Sequence, residues 1–497
     1  MSDTRPRFEA LQQTLASQFD RIMANPLEPR TVVVVPSLSL DPRELAKVEG
    51  VEHYEERLLC LLLLLRYPRT HVVYVTSRPI APATIDYFLH LLAGIPTSHA
   101  RERLHLFSAH DGSLRPLSAK LLARPRLLQR IRSVIRDPRS AHLTSFNSCG
   151  LEQDLAVALG IPLYAPDPAL AHLGTKTGSR RLFKEAGLAL SPGDEGLRDL
   201  ADARASLVRL KTADPTLRKA VVKLNDGFSG EGNATFRFDD APSTGLKAWV
   251  ARELPKRLSF EAKGESYAAY EQKYAEMGGI VEAWVDGADK ASPSVQCRVW
   301  PNGRAEVIST HDQILGGPSG QIFLGCRFPA DPRYRREIQV AGQRLAETVA
   351  SHGVIGRFAA DFVSVRTPGG WQHSAIEINL RKGGTTHPFL MLQYLTDGEV
   401  DPATGLFHTP GGQSRYYRAT DNLCSPAYAG LTPHDLIDLT VCNRLHFHGP
   451  RQEGTVFHLI GALSEFGKLG MVCIGPTPEA ADSLFDRTVA VLDAETA

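Results

Sequence analysis

The sequence predicts a parallel α/β domain followed by a mainly antiparallel α+β region. Up to about residue 160, β-branched runs such as TVVVVP and HVVYVTS alternate with helical stretches, which is typical of a parallel sheet with helices on both faces. Beyond the Pro-rich segment IPLYAPDP the pattern changes to short strands joined by hairpin-like turns. At roughly 100 to 200 residues for each domain, the 497 residues are enough for two to four domains.

The composition excludes several classes of protein. The 56 Lys and Arg nearly cancel the 55 Asp and Glu, which speaks against a nucleic-acid partner or an anionic membrane surface. The longest apolar run, Leu58 to Leu65, is far shorter than the roughly 20 residues of a membrane span, so we expect the buried stripe of a helix. Seven scattered cysteines without a C-x-x-C pair, and an amino terminus unlike a signal peptide, predict a cytoplasmic protein with reduced thiols. A homo-oligomer stays open.

The amino-terminal elements follow from apolar spacing. Apolar residues at three-and-four spacing predict one amphipathic helix from Phe8 to Ile22, ending before Asn25. Four β-branched runs predict the strands of the parallel sheet, and the helix after the last of them ends at Gly160. The strand runs begin at Thr31, His71, Arg103 and Ala141.

The later elements alternate between hairpins and helices. A helix from Lys176 to Ala186 precedes the pair KAVVKLN and NATFRF, which reads as strand, turn, strand. Near the carboxyl end, helices beginning at Thr432-Pro433 and Thr477-Pro478 carry a cap residue followed by a first-turn proline. Between them, GTVFHLIGALSEFGKLGMVCIG predicts a β-hairpin.

An acidic hairpin is the most informative stretch. In GRFAADFVSV and SAIEINLR the period of two puts the charged residues on one face and the apolar residues on the other. A TPGG turn centred on Gly369 places Asp361 across from Glu377 and Arg357 across from Arg381. Two carboxylates facing each other across a ladder are costly unless a cation lies between them.

The chemistry of these side chains suggests a metal. Together with the amide of Asn379, Asp361 and Glu377 offer the oxygen ligands that Mg²⁺ or Mn²⁺ prefers. The alternative is a solvated acidic edge with Arg357 and Arg381 as diagonal partners, and spacing alone leaves both interpretations open.

A glycine-rich segment suggests phosphate binding. In KAVVKLNDGFSGEGNATFRF, Lys223 precedes Gly227, Gly230 and Gly232, and such a loop lets backbone N–H groups approach phosphate oxygens. The context of a Walker loop is absent because a strand follows the glycines. Taken alone, a glycine-rich turn with a surface lysine is the favoured reading. A second lysine upstream, Lys176, and the acidic hairpin downstream shift it toward a nucleotide site.

In this order, the segments from about Ala165 to Leu395 resemble the ATP-grasp fold of carboxylate–amine ligases. The resemblance implies ATP and two Mg²⁺ ions held by Asp361, Glu377 and Asn379. It implies these nucleotide contacts: phosphates at Lys176 and Lys223; a γ-phosphate lid of Gly227, Phe228, Ser229, Gly230, Glu231 and Gly232; adenine at Glu282, Ala283, Trp284 and Val285; and ribose at Asp289.

The resemblance also implies a domain order. We expect a Rossmann-like pre-ATP-grasp domain over 1–165, an ATP-grasp domain over 166–410 and a small α+β carboxy-terminal domain over 411–497 that completes the substrate site. The tail, with ILGGPSGQIFLGCRFP and EINLRKGGTTHP, is similar to the peptide ligases of pheganomycin biosynthesis and their relatives.

The implied activity joins a carboxylic acid to an amine or peptide through an acyl phosphate. Arg381 and Lys382 are candidates to hold the substrate carboxylate or the oxyanion, and plain surface charge is their alternative. Several ligases carry an arginine where this chain has Ala359, so Arg357 or Arg298 is expected to supply that charge. A small-molecule kinase and a non-catalytic nucleotide-binding scaffold stay open as alternatives.

Overall fold

Three β-sheets organise the chain, with a further strand pair in a loop. The structure is a computed structural model, and no helix in the part of the chain that it describes is long and apolar enough to cross a membrane. The described residues are 4–40, 45, 46, 48–227, 232–262, 264–316, 320 and 322–496.

The amino-terminal sheet has four parallel strands in the order β3-β2-β1-β4, which confirms the predicted parallel α/β arrangement. Every residue of β1, β2 and β4 is buried, because helical segments cover both faces of such a sheet. The strands are β1 Arg30–Val35, β2 Thr70–Thr76, β3 Leu104–Ser108 and β4 Ala141–Ser145.

The helical segments of this part differ from the prediction at two places. The single amino-terminal helix is wrong: it is two helices, and the Thr14 N–H between them donates to Leu11, three residues back rather than four. The apolar run Leu58 to Leu65 is mostly buried as expected, but it lies in a long 3₁₀ helix. The segments are α1 Thr4–Gln12, α2 Leu15–Ala24, 3₁₀ Val51–Arg66, α3 Pro82–His90, α4 Thr97–Glu102, α5 Leu117–Leu122, α6 Pro125–Ser133, 3₁₀ Pro138–Ser140, α7 Gly150–Leu159 and 3₁₀ Pro168–Gly174.

A five-stranded antiparallel sheet, in the order β5-β9-β6-β7-β8, carries the glycine-rich hairpin. Its central strands β6 and β7 pair antiparallel up to Lys223 opposite Asn233, which confirms the predicted strand, turn, strand. The elements are α8 Lys176–Glu185, β5 Gly193–Leu197, α9 Leu200–Ala213, β6 Lys219–Leu224, β7 Asn233–Arg237, α10 Leu246–Arg257, β8 Ser259–Phe260, α11 Tyr267–Met277 and β9 Gly279–Ala283.

The largest sheet has nine strands and joins the middle of the chain to its carboxyl end. The order is β10-β14-β11-β12-β13-β18-β20-β19, with β15 paired to β14. This sheet continues across residue 410, and the division of the chain at 165 and 410 stays a prediction. The strands are β10 Lys290–Ala291, β11 Pro293–Val299, β12 Ala305–Gly316, β13 Ile322–Phe328, β14 Gly356–Thr367, β15 Gly370–Asn379, β18 Tyr416–Cys424, β19 Gly454–His458 and β20 Lys468–Gly475; the loop pair is β16 Glu399–Val400 and β17 Phe407–His408.

The remaining helices confirm the predicted capping. The Thr432 hydroxyl accepts from the Asp435 N–H and the Thr477 hydroxyl from the Ala480 N–H, each satisfying an otherwise unpaired first-turn N–H. The strands β19 and β20 pair antiparallel, as predicted. The segments are α12 Arg335–Ser351, α13 Thr386–Thr396, 3₁₀ Pro426–Gly430, α14 Pro433–Cys442, 3₁₀ Ile460–Ala462, α15 Leu463–Phe466 and α16 Pro478–Glu495.

Candidate active site

The hairpin of β14 and β15 brings the two predicted carboxylates together. Asp361 pairs with Glu377 across the ladder, as expected, but the route to this register differs from the prediction. The turn has two central residues, and one extra residue on β15, Ile376, forms a bulge that restores the register. The predicted pairing of Arg357 with Arg381 is wrong, because β15 ends before Arg381.

Polar side chains from three other positions converge on these carboxylates. The Lys176 ammonium, at the start of α8, forms an ion pair with Glu377. Gln313 on β12 donates to Asp361 Oδ1 at 2.9 Å. The Asn379 amide donates to Asp361 Oδ2 at 3.0 Å and to Glu377 Oε1 at 3.3 Å. The predicted metal-ligating set is therefore assembled in one place.

The surroundings of Asp361 and Glu377 shift the pKa values of the two carboxyl groups in opposite directions. Burial, and then the charge of Glu377, raise the pKa of Asp361. Burial alone would also raise the pKa of Glu377, but the neighbouring Lys176 ammonium outweighs it and holds that pKa low. Two facing carboxylates with an amide side chain beside them offer the oxygen ligands that Mg²⁺ prefers, so the residues present fit the implied ion.

The second predicted lysine is held in a buried ion-pair network. Lys223 on β6 donates to Glu282 Oε2 at 2.6 Å, and Arg180 on α8 pairs with the other oxygen of Glu282. Arg180 also reaches Glu195 at 3.1 Å. Since the side chain of Glu282 is only 3% exposed, its contacts fix the Lys223 ammonium rather than leave the carboxylate free for a ligand.

The predicted adenine segment follows at the end of β9. The backbone N–H groups of Ala283 and Trp284 donate to neighbouring strands and turns, and the Val285 carbonyl accepts from a lysine ammonium. Asp289, the predicted ribose ligand, is exposed and lies 3.8 Å from the Arg366 guanidinium. Asp289 lies against β14 near the turn of the acidic hairpin, where its carbonyl accepts from the Arg366 N–H at 3.0 Å.

The glycine-rich turn is described only at its ends. A Cβ added to Gly227 would lie 3.2 Å from the backbone of Gly232, so the two ends of the loop approach closely enough to favour glycine. The remaining predicted lid residues, Phe228, Ser229, Gly230 and Glu231, lie outside the described residues.

A cavity of about 380 Å³ opens beside these groups. Lys176, Asn379 and Arg381 line one side, and Gly227 and Gly232 line another. The predicted residues Lys223, Glu282, Asp361 and Glu377 are not among its lining residues; Glu377 is joined to it through the ion pair with Lys176.

A third wall of the cavity comes from the parallel sheet, and sequence reasoning missed it. Leu40, Asn147 and Ser148 line the cavity from the carboxyl ends of β1 and β4. The Ser39 N–H donates to Asn147 at 3.0 Å, and the Asn147 amide returns a bond to the Ser39 carbonyl at 3.1 Å. Ligand crevices commonly lie at this edge of a parallel sheet.

Comparison with known proteins decides the family. Over 470 residues the chain is 30% identical to the L-propargylglycine–L-glutamate ligase of Streptantibioticus cattleyicolor, covering 93% of this chain and 94% of that protein. The chain belongs to the ATP-grasp ligases. The ATP-grasp model described as IQCH-like matches residues 252–403, and the PGM1 C-terminal domain model matches residues 435–488. It is an ATP-dependent ligase that joins a carboxylate to an amine.

Two further comparisons concern the fold. The zebrafish (Danio rerio) IQ motif-containing protein H is 21% identical over 543 residues, covering 98% of this chain and 50% of that protein. The ADP complex of an N5-carboxyaminoimidazole ribonucleotide synthetase superposes with a TM-score of 0.52 at 11% identity, covering 94% of this chain and 97% of that one. The latter confirms an ATP-grasp fold over nearly the whole chain.

Among the candidate catalytic residues of this ATP-grasp ligase, only Arg381 lines the cavity within the described part of the chain. Lys382 points elsewhere: its ammonium donates to Thr144 Oγ1 at 2.9 Å and to the Ser145 carbonyl at 2.6 Å. Burial lowers the pKa of Lys382 to about 7. It joins the acidic hairpin to β4 instead of contacting a substrate.

The two arginines expected to replace the one missing at Ala359 are also engaged elsewhere. Arg298 donates to Glu306 at 2.8 Å and stacks on Trp300 at 3.7 Å. Arg357 lies opposite Arg298 in the β11–β14 ladder, where burial and then Arg298 lower its pKa to about 10. Neither lines the cavity, so the prediction that they supply a charge there has no support in this geometry.

Two residues that sequence reasoning missed hold the segments of the predicted nucleotide-binding lysines, Lys176 and Lys223. The Asn225 carbonyl accepts from the Lys176 N–H at 3.0 Å, and its side chain accepts from the Thr177 N–H at 3.0 Å, so Asn225 ties α8 to β6. Arg180 lies one helical turn after Lys176, and that spacing was the available signal.

Proposed function

We propose that the enzyme binds ATP and Mg²⁺ beside the cavity, converts a carboxylic acid to an acyl phosphate and transfers the acyl group to the amine of an amino acid or peptide. The observation that carries this proposal is the convergence of Lys176, Asp361, Glu377 and Asn379 next to a cavity that Arg381 also lines.

In this proposal, Asp361, Glu377 and Asn379 hold two Mg²⁺ ions, or Mn²⁺ in their place. The ions would neutralise the triphosphate charge and orient the γ-phosphate. Once a cation screens Glu377, the Lys176 ammonium is free to turn from Glu377 to a nucleotide phosphate. Asn379, whose amide nitrogen now faces the carboxylates, presents its oxygen after a rotation of the amide.

The remaining nucleotide contacts follow the family order. Lys223 neutralises a phosphate from its fixed position beside Glu282. The glycine-rich turn from Gly227 to Gly232 covers the γ-phosphate, the backbone from Glu282 to Val285 contacts adenine, and Asp289 contacts ribose. These residues position the nucleotide, because phosphoryl transfer depends on alignment and charge neutralisation more than on covalent help from the protein.

The reaction balances as two displacements. A carboxylate oxygen of the acid attacks the γ-phosphorus, the bond to the β-phosphate oxygen breaks, and ADP leaves. The amine then attacks the acyl carbon, the acyl–oxygen bond breaks, phosphate leaves, and the amine loses its proton. In this proposal Arg381, which lines the cavity, stabilises the tetrahedral oxyanion with charge-assisted hydrogen bonds.

The relative's name and the composition guide the choice of substrates and compartment. Because that relative is named for L-propargylglycine and L-glutamate, we propose amino acids as the acid and amine of this enzyme. All seven cysteines are free thiols, which supports a cytoplasmic site of action. The net charge of +1 supports a reaction without nucleic acid or membrane.

Hydroxylamine trapping tests the proposal directly. The protein is incubated with ATP, Mg²⁺, hydroxylamine and each member of a panel of L-amino acids, and hydroxamates are measured. An acyl phosphate reacts with hydroxylamine, so we expect a hydroxamate and one ADP for each product. ADP formation with a stable phosphorylated substrate and no hydroxamate would instead identify a kinase.

A further inference from the structure

A buried arginine lies behind the cavity wall and takes no part in the nucleotide site. Arg57, in the 3₁₀ helix Val51–Arg66, has a side chain only 4% exposed. Its guanidinium contacts two aromatic rings, 4.4 Å from the centroid of Tyr54 and 4.1 Å from that of Phe146. Since rings do not accept in the guanidinium plane, the N–H donors at its edge need other acceptors.

The N–H donors of Arg57 have few close hydrogen-bond acceptors. A guanidinium has five N–H donors, and charged hydrogen bonds are normally shorter than about 3 Å. Arg57 Nε reaches the Tyr54 carbonyl at 3.4 Å and Nη1 reaches Asp421 at 3.5 Å. Nη2 is buried with no hydrogen-bond partner among the described residues. A buried charge in this condition is costly, so the site is suited to an anion.

The position of Arg57 relates it to the cavity. Phe146, which covers its guanidinium, also lies 5.8 Å from the Arg381 guanidinium, and the next two residues, Asn147 and Ser148, line the cavity. Burial lowers the pKa of Arg381, and the charge of Arg57 contributes to the same shift. Two cations therefore contact the ring of Phe146, the residue that precedes Asn147 and Ser148 of the cavity lining.

A histidine pair beside Arg57 adds unsatisfied polar atoms. His387 and His458 are joined through their Nε2 atoms at 2.8 Å, and Nδ1 of each is buried without a partner. Since one ring donates in this contact and the other accepts, the pair must present one free Nδ1–H donor and one free Nδ1 acceptor. Unpaired buried polar atoms are rare in folded proteins, and here three belong to one neighbourhood.

We propose that Arg57 binds a substrate carboxylate that does not react. The inference rests on the proposed function and specifies its substrate class. Arg381, two residues after the metal-ligating Asn379, serves the reacting carboxylate, whereas Arg57 lies beyond Phe146 and serves a second one. At least one substrate is therefore an α-amino acid or peptide with a free carboxylate, or a dicarboxylic acid, and not a simple monoacid and amine pair.

The test asks whether that carboxylate belongs to the acid substrate or to the amine substrate. The hydroxylamine reaction with L-glutamate contains no amine substrate and therefore measures the KM of the acid alone. The ligation reaction compares L-alanine with L-alaninamide, an amine substrate that lacks the carboxylate. Loss of a charge-assisted pair in Arg57→Gln should raise KM about ten- to one hundred-fold with kcat within about two-fold. A change in the KM of L-glutamate assigns the carboxylate to the acid, and a change confined to L-alanine assigns it to the amine. Unchanged KM values in both arms overturn the proposal.

Asp421→Asn is the matched control for a structural role. If Arg57 serves only as the partner of Asp421, this variant should reproduce the KM change and the loss of thermal stability of Arg57→Gln, and the proposal is wrong. If Arg57 binds substrate, Asp421→Asn leaves KM unchanged or lowers it. Arg57→Lys keeps the charge but not the planar fork, so an intermediate KM is expected should Arg57→Gln fail to fold.

A binding measurement keeps this inference distinct from the proposed function. If the wild-type chain forms no hydroxamate, thermal melting is recorded in Mg²⁺ and ADP with added L-glutamate. A rise in melting temperature for the wild type that Arg57→Gln lacks supports the carboxylate site even without ligation. An equal rise in both proteins, or none in either, overturns it.

Discussion

Glu377 and Lys176 neutralise each other across the site where the metal and the nucleotide phosphates are proposed to bind. The ion pair explains how two carboxylates tolerate each other in the free protein, because the lysine compensates the negative charge of Glu377, while burial and Glu377 raise the pKa of Asp361. Binding of ATP and Mg²⁺ then exchanges partners without creating an unpaired charge. A site organised this way is ready for the nucleotide before it arrives.

Replacing Glu377 tests whether its carboxylate, which pairs with Lys176, is required for turnover. Glu377→Gln keeps the side-chain volume but removes the charge, so we expect turnover to fall at least a thousand-fold while the thermal melt stays cooperative. Phosphate release and a melting curve measure the two properties. Glu337→Gln, which alters an exposed carboxylate 3.1 Å from His373, is the control and should retain activity. Full activity in Glu377→Gln would contradict the metal assignment.

Arg180 is predicted to stabilise the folded protein and, through Glu282, to position Lys223. Its side chain is 2% exposed and pairs with both Glu282 and Glu195, so Arg180→Met leaves a buried carboxylate underpaired. We expect a loss of about 3–5 kcal/mol in the free energy of unfolding. Lys184→Met removes an exposed partner of the same Glu195 and should cost less than about 1 kcal/mol. Denaturant titrations compare them, and equal losses would contradict the role given to Arg180.

At the scale of elements, the site depends on how α8 is attached to the sheet that carries Lys223. Asn225 makes this attachment at the start of α8 through its carbonyl and its side chain, while the Ile378 N–H donates to the Ser179 hydroxyl one turn further along the helix. These hydrogen bonds hold the first turn of α8, with Lys176, between β6 and β15. The two lysines that are proposed to bind phosphate, Lys176 and Lys223, keep their separation because the end of β6 holds both.

Asn225→Ala should weaken the attachment of α8 to β6. The substitution removes the bonds to the Thr177 N–H and the Met277 carbonyl, so we expect a loss of about 1–3 kcal/mol in stability and a KM for ATP about ten-fold higher. Asn302→Ala, which removes an exposed contact to Asp20, provides the reference and should change neither. An unchanged KM for ATP in Asn225→Ala would contradict the proposal that Asn225 positions Lys176 by attaching α8 to β6.

Local patterns in the sequence were enough for the parallel sheet, the hairpins and the capped helices. Asp361, Glu377 and Asn379 could be predicted because a period of two and a short turn are local properties. The contacts of Lys382 and the third cavity wall could not, since they involve residues on strands that lie far away in the sequence.

The break between α1 and α2 shows a related limit. Apolar spacing continued without interruption from Phe8 to Ile22, and it carried no sign of the tightened turn at Thr14.

At the scale of the molecule, buried histidines make stability depend on pH. Burial lowers the pKa of His142, His311 and His458 to about 3, and it lowers that of His387 as well. The unfolded chain takes up these protons near pH 6.5 and the folded chain does not, so stability falls as the pH falls below that value. Glu55, whose pKa burial raises to about 7, acts in the opposite direction.

One substitution isolates the contribution of a single histidine. The His142 ring packs against Phe19 and Tyr164, so His142→Phe replaces a ring by a ring. Each such histidine contributes about 1.4 kcal/mol per pH unit below its unfolded pKa. Denaturant unfolding between about pH 6 and pH 5 should therefore show a slope shallower by that amount. A slope equal to that of the wild type would mean that His142 is protonated in the folded protein.

The central claim is that this ATP-grasp ligase joins an amino acid carboxylate to an amine at the site beside Lys176. The most direct measurement incubates the protein with ATP, Mg²⁺ and pairs of L-amino acids and short peptides, and follows phosphate release and product mass together. We predict one phosphate for each product whose mass equals the two substrates minus water, with both signals lost in Glu377→Gln. A second substrate that gains a phosphoryl group without condensation would contradict the account.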